Sequence, residues 1–181
     1  MKRAGYIATG AAAIAAIAAP TFIGIPTRIV WNASPSVPIG FYTITPARDL
    51  RLGDLVTVEP PASLSGYMVA RGYIGPGVPM VKPVTALPGQ SVCRTGVRIA
   101  VDGVAIGDAL PHDRMGRLLP VWQGCHRIEP DQIFLMNPSV RDSLDGRYFG
   151  PLPRASVTGK ATPLYIDASG NGRFVWRSST H

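Results

Sequence analysis

From Gly40 onward, apolar and polar residues follow the two-residue period of half-buried strands. "GFYTIT" (40–45) and "DLVTVEP" (54–60) set apolar positions among β-branched ones. "PMVKPVTALPG" (79–89) is an apolar run broken by prolines. "VRIAVDGVAIGD" (97–108) puts Asp102-Gly103 between two alternating segments, a strong hairpin signal. "QIFLMN" (132–137) and "VTGKATPLYI" (157–166) predict two further strands. Helix signals are nearly absent from this region. "PHDRMGRLLPVW" (111–122) reads as a long loop. The tail from Asp167 reads as loosely structured, with Phe174 and Trp176 able to dock. The expected fold is mostly β: one domain of antiparallel sheets over residues 31–166, followed by a tail at 167–181.

The N-terminal pattern is different. Lys2 and Arg3 precede a segment with no charge from Ala4 to Thr27. As a helix it would be about 35 Å long, enough to cross a bilayer core. Pro20 would kink or end its best helical part, and Trp31 follows at an interfacial position. The basic N-terminus places Lys2 and Arg3 in the cytoplasm and the rest outside. A cleavable signal peptide is the alternative. Proline after the small residues of "AIAAP" disfavours cleavage, and the apolar run exceeds a usual signal core. Residues 1–30 are therefore expected to be an uncleaved transmembrane anchor, with the β domain in the periplasm of a bacterial inner membrane.

Composition adjusts this picture in two places. The chain has 181 residues and a formal net charge of +7, carried by scattered arginines. Nucleic-acid binding is one reading of such charge, but no aromatic-basic stripe or known module accompanies it. A surface near anionic lipid headgroups has the same charge. Lysine is scarce: Lys2, Lys82 and Lys160 stand against fifteen arginines. Cys93 and Cys125 are the only cysteines. In an oxidising periplasm they can pair and close a loop worth about 3 kcal/mol; two buried thiols are the alternative.

Three segments carry candidate chemistry. "NASPSVPIGFY" (32–42) restrains Ser36 between prolines. Alone it reads more readily as a stiff linker. A serine nucleophile needs a base. His112 and His126, with Asp142 or Asp145 as orienter, would make a conventional triad, but both histidines sit in settings typical of surface turns. Lys82, between Val81 and Pro83, is the better base, because burial disfavours its charged form. The other reading is a strand lysine reaching for water. "RDSLDGRYFG" (141–150) is either a solvated turn or a polar shelf that orients an amine.

Taken in order behind an anchor, the three segments resemble the type I signal peptidase family. "SPSVP" resembles its serine box, "KPVTALPGQ" its lysine box, and "RDSLDGR" its third box. The resemblance implies a Ser-Lys dyad of Ser36 and Lys82. Ser34 becomes an oxyanion donor, Ser143 an aiming group, and Asp145 with Arg147 a structural pair. No metal or cofactor is implied. The departures are Val37 for a usual Met, a proline one position early, Gln90 for an Asp, Gly146 for a serine, and a third box one residue shorter between its first Asp and Ser, which leaves Asp142 without a definite counterpart. Asn32 and the Pro-x-Gly-x-Tyr end of the serine box are similar to the conjugal transfer, TraF-type, branch. That branch implies cleavage, and sometimes cyclisation, of a pilin precursor beside type IV secretion components. A general leader peptidase and a non-catalytic, anchored assembly protein of a secretion channel are the alternatives. The absence of a DNA-binding head argues against self-cleaving repressor-like relatives.

Overall fold

Alternation of apolar residues builds two antiparallel sheets. The computed structural model describes residues 2–22 and 28–176. In chain order the elements are α1 (Lys2–Phe22), β1 (Ile29–Asn32), β2 (Ile39–Thr45), β3 (Leu55–Val58), α2 (Ala62–Ala70), β4 (Met80–Ala86), β5 (Ser91–Thr95), β6 (Arg98–Val101), β7 (Val104–Asp108), β8 (Gly124–Arg127), β9 (Gln132–Leu135), α3 (Gly146–Phe149), β10 (Leu152–Pro153), β11 (Val157–Asp167) and β12 (Val175–Trp176).

The larger sheet runs β1-β2-β11-β3-β4-β9-β10, with β12 added on β11. The smaller runs β7-β6-β5-β8. β11 pairs with β2 over Lys160–Asp167 and with β3 over Val157–Lys160, and register shifts in both pairings mark its irregularities. Gly40 sits where β2 meets β11: a Cβ there would lie 2.3 Å from the Tyr165 carbonyl oxygen, so only glycine fits. β1 and β2 form a hairpin closed by the pair Asn32 and Gly40. Ser34 and Ser36 lie in its tip. The sheet curls until this tip and β4 wall one cavity.

Each expected strand forms. The Asp102-Gly103 turn has positive φ at both residues (49° and 83°), as a two-residue hairpin of this kind requires. Five further strands, β1, β5, β8 and the two-residue β10 and β12, were not expected. The near-absence of helix is corrected by α2. Its sequence, "ASLSGYMVA", has little helix propensity and no side-chain N-cap. Packing holds it: Met68 is buried in the core of Val56, Val58, Met80, Val84, Ile133 and Leu135, with Leu64 and Tyr67 against it. A second core of Val92, Ile99, Ile128, Phe134 and Met136 joins the two sheets. Cys93 and Cys125 face each other across β5 and β8 and are bonded.

The tail is more ordered than its composition suggests. The Asp167 carboxylate accepts from the Asn171 and Gly172 N–H groups at 3.1 and 2.7 Å, which turns the chain back. β12 then pairs with Tyr165 and Ile166. Phe174 stacks on Trp31 (6.0 Å) and meets Tyr165 tilted (5.4 Å), and Trp176 lies 4.8 Å from Tyr165. Trp31, Phe41 and Trp176 remain exposed.

α1 is a 21-residue helix. Among the described residues, no helix is long and apolar enough to cross a membrane. Residues 23–27 of the uncharged segment lie outside the described residues.

Candidate active site

The serine loop is held from within by Asn32. Its Nδ2 donates to the carbonyls of Ser34, Val37 and Pro38 at 2.8, 3.1 and 3.1 Å. Its Oδ1 accepts the Ser34 N–H at 3.2 Å. One buried side chain thus satisfies a whole turn. Val37 plugs into the core of Tyr42, Ile44, Val81 and Ile166, which anchors the residue next to Ser36. Tyr42 donates its hydroxyl to the Pro38 carbonyl at 2.6 Å. The prolines stiffen this loop; the hydrogen bonds orient it.

Ser36 is buried. Ser34 donates its hydroxyl to Ser36 Oγ at 2.9 Å, and Ser34 Oγ accepts the Ser36 N–H at 3.3 Å. The Ser34 hydroxyl, which the family resemblance assigns to an oxyanion, is therefore turned on Ser36.

Lys82 sits in β4 opposite Val56 of β3. Strand alternation puts it on the face of Met80 and Val84, and it is 5% exposed. Burial pushes its amine down to about 8. Asp145 pulls it back up, Arg147 pushes it down, and Asp142 pulls it up to the smallest extent. Its Nζ donates to Ser143 Oγ at 3.0 Å, and Ser143 is also buried. Ser34, Ser36, Lys82 and Ser143 all line one cavity of about 830 Å³. Among the described residues no hydrogen bond joins Ser36 directly to Lys82. The serine is paired with Ser34 and the lysine with Ser143.

The third segment is a buried shelf and not a solvated turn. Arg147 is 1% exposed. Its Nε donates to Asp145 Oδ1 at 2.9 Å and its Nη2 to Asp145 Oδ2 at 3.2 Å. The remaining N–H groups reach the carbonyls of Asn137 (2.6 Å), Arg141 (2.8 Å), Val140 (3.1 Å) and Asp108 (3.2 Å). Asp145 also caps α3 through the Arg147 N–H. Asp142 lies outside this pair and binds the exposed Arg114.

Two departures from the family pattern have physical reasons. Gln90 accepts the Leu87 N–H at 2.9 Å and donates to Asp102 at 2.8 Å, so it closes the Leu-Pro-Gly turn in place of the shorter acid. Gly146 has no room for a side chain: a Cβ would stand 2.6 Å from the Phe134 ring and 2.7 Å from the Leu135 carbonyl.

Sequence reasoning missed Asn137, whose Nδ2 donates to the Ser36 carbonyl at 2.6 Å. It also missed Arg94, a buried guanidinium in β5 that donates to the Arg147 carbonyl at 2.6 Å. "NPS" reads as an ordinary turn, so Asn137 carries no local signal. Arg94 shares the parity of buried Val92, and a charge on a buried face was the clue available. His112 lines the cavity wall, and His126 stands beside Trp122. Neither is hydrogen-bonded to Ser36 among the described residues.

A family model described as signal peptidase, peptidase S26, matches residues 2–166. The chain belongs to this family and is a peptidase, of the serine type by family. Within it the chain falls in the TraF branch. A conjugal transfer protein TraF of Agrobacterium fabrum (strain C58) is 35% identical over 146 residues, covering 74% of this chain and 80% of that protein. One from Agrobacterium tumefaciens (strain 15955) is 35% identical over 176 residues, covering 91% and 96%. A plasmid transfer protein TraF of Escherichia coli is 29% identical, covering 89% and 93%. A signal peptidase I structure from Enterococcus faecalis V583 is 18% identical with a TM-score of 0.38, covering 64% of this chain and 98% of that one.

A buried lysine with a lowered pKa is a stability cost. The unfolded chain binds this proton more tightly, so the penalty is full below about pH 8 and fades as pH rises toward the unfolded value of 10.5. At neutral pH it amounts to about 3 kcal/mol. Lys82→Met is expected to raise the denaturation midpoint at pH 7, by a gain that shrinks at pH 10. Urea titrations at the two pH values measure it, and an equal gain at both would contradict the shifted amine.

Proposed function

We propose that this chain is a membrane-anchored serine endopeptidase that cleaves, and in part cyclises, a pilin precursor for conjugative transfer. The observation that carries the reading is the partly dehydrated Lys82 amine, aimed by Ser143 into the cavity that Ser36 also lines. Neutral Lys82 takes the Ser36 proton as Oγ attacks the scissile carbonyl. The tetrahedral oxyanion falls to the Ser36 N–H and the Ser34 hydroxyl, which give up their resting contacts. Protonated Lys82 then delivers its proton to the leaving amine, and an ester on Ser36 remains. Water, or the substrate's own amine, attacks that ester. Attack by the amine closes a ring. The precursor binds extended, along a strand edge beside the cavity. The chemistry uses no metal or cofactor.

The same reading places residues 1–30 in the bacterial inner membrane and the β domain in the periplasm, beside type IV secretion components. The uncharged segment from Ala4 to Thr27 supports it. So do exposed Trp31, which follows that segment by four residues, and exposed Phe41 and Trp176, with exposed Arg28 and Arg173 suited to lipid headgroups. Alkaline carbonate washing of membranes is expected to leave the chain in the pellet and to release a chain lacking residues 2–22. Release of the intact chain would remove the anchor from this proposal.

Ser36→Ala and Lys82→Ala are each expected to lower precursor processing by three orders of magnitude or more. Wild-type rate in either variant would sink the dyad. Since the base acts neutral, kcat/KM for wild type should climb about tenfold per pH unit from pH 6 and level off near 8. A flat profile across that range would assign the base elsewhere. The mass of the processed pilin decides the second step. A product lighter by one water than the linear peptide is expected, and a linear mass throughout would leave hydrolysis as the sole activity.

A further inference from the structure

The Ser36 side of the site and the Lys82 side come from distant parts of the chain. The serine loop is tied to its own hairpin by Asn32 and Tyr42. Lys82 is tied to Ser143, on the shelf built around Asp145 and Arg147. Among the described residues, one hydrogen bond joins residues 33–38 to β4 or to residues 137–147. It runs from Asn137 Nδ2 to the Ser36 carbonyl at 2.6 Å.

Asn137 is itself held rigidly. Its N–H donates to Asp145 Oδ2 at 3.0 Å, and its carbonyl accepts Arg147 Nη2 at 2.6 Å. Its Oδ1 accepts the Ser139 N–H at 3.0 Å, which fixes the side-chain amide and leaves the N–H aimed at Ser36. Pro138 restricts the Asn137 backbone to extended conformations. A donor fixed at this many points does not follow the carbonyl it binds; the carbonyl follows the donor.

We infer that Asn137 is a positioning residue that sets the Ser36 nucleophile against the lysine base, by carrying the rigidity of the buried Asp145–Arg147 pair into the Ser36 peptide. The inference rests on the reading of Ser36 as nucleophile. Asn137 does not reach the reacting atoms. It fixes the peptide plane that leaves Ser36, and hence the direction of the Cα–Cβ bond. Misplacement of a nucleophile by about 1 Å costs up to about 100-fold in rate.

The test is steady-state processing of the precursor by the full chain carrying Asn137→Ala, with Ser36→Ala in parallel. The expected result is a 10- to 100-fold fall in kcat, KM within about twofold, and a pH limb that stays near 8 because the surroundings of Lys82 are unchanged. Asn137→Asp keeps the acceptor for Ser139 and loses the donor to Ser36. It should lose at least as much kcat, with thermal melts showing a folded protein. Wild-type kcat in either folded variant overturns the inference. A kcat loss that disappears at higher pH overturns it too, since the residue would then act on the base. Unfolding of both variants also overturns it, by making Asn137 a structural support. If Ser36→Ala is fully active, the nucleophile assignment falls first. If it is dead while the Asn137 variants are normal, only this inference falls.

Discussion

The Arg147 guanidinium is the group on which the rest of the site depends. It is almost wholly buried, and a buried charge persists only when paired and fully hydrogen-bonded. Asp145 takes two of its N–H groups, and four backbone carbonyls from two segments take the others. Three of those carbonyls, of Asn137, Val140 and Arg141, belong to the stretch that leads into Ser143. One cation thereby shapes the loop that holds the lysine's partner and the serine's tether. Losing either member of such a pair costs about 3–5 kcal/mol, because the other charge stays behind in the core.

The same pair gives Lys82 its electrostatic setting. Burial alone would lower the amine further; Asp145 limits the drop and Arg147 opposes Asp145. A lysine beside a lone carboxylate would stay charged and useless as a base. A lysine beside the neutralised pair keeps a pKa near the working pH. On the proposed mechanism, structure and reactivity therefore share one constraint, and a change at Asp145 or Arg147 alters both.

Much of this was legible in the residues, and the illegible part has physical causes. The long strands showed themselves through period-two alternation, and the Asp102-Gly103 turn through its left-handed pair. α2 was hidden because its helix is stabilised by Met68 in the core and not by its own propensity. β12 was hidden because the Asp167 turn that returns it looks like a polar tail. At the site, the serine and lysine segments could be recognised because their chemistry is concentrated in a few neighbouring residues. The link between them could not: Asn137 and Ser36 are 101 residues apart. Hydrogen bonds of that span depend on how the sheet curls, and no local pattern encodes the curl. Among the described residues the hydrogen bonds of these side chains form two separate pairs, Ser34 with Ser36 and Lys82 with Ser143.

The burial of Lys82 has a consequence for the life of the chain before it is assembled. In β4 the amine becomes dehydrated only when β3 lies against it and the Ser143 shelf closes over it. Until then it is an ordinary solvated ammonium, protonated at any physiological pH. On the proposed mechanism, a chain emerging into a crowded compartment carries no proteolytic power. Its restraint is built into the fold, because the packing that buries the amine is also what arms it.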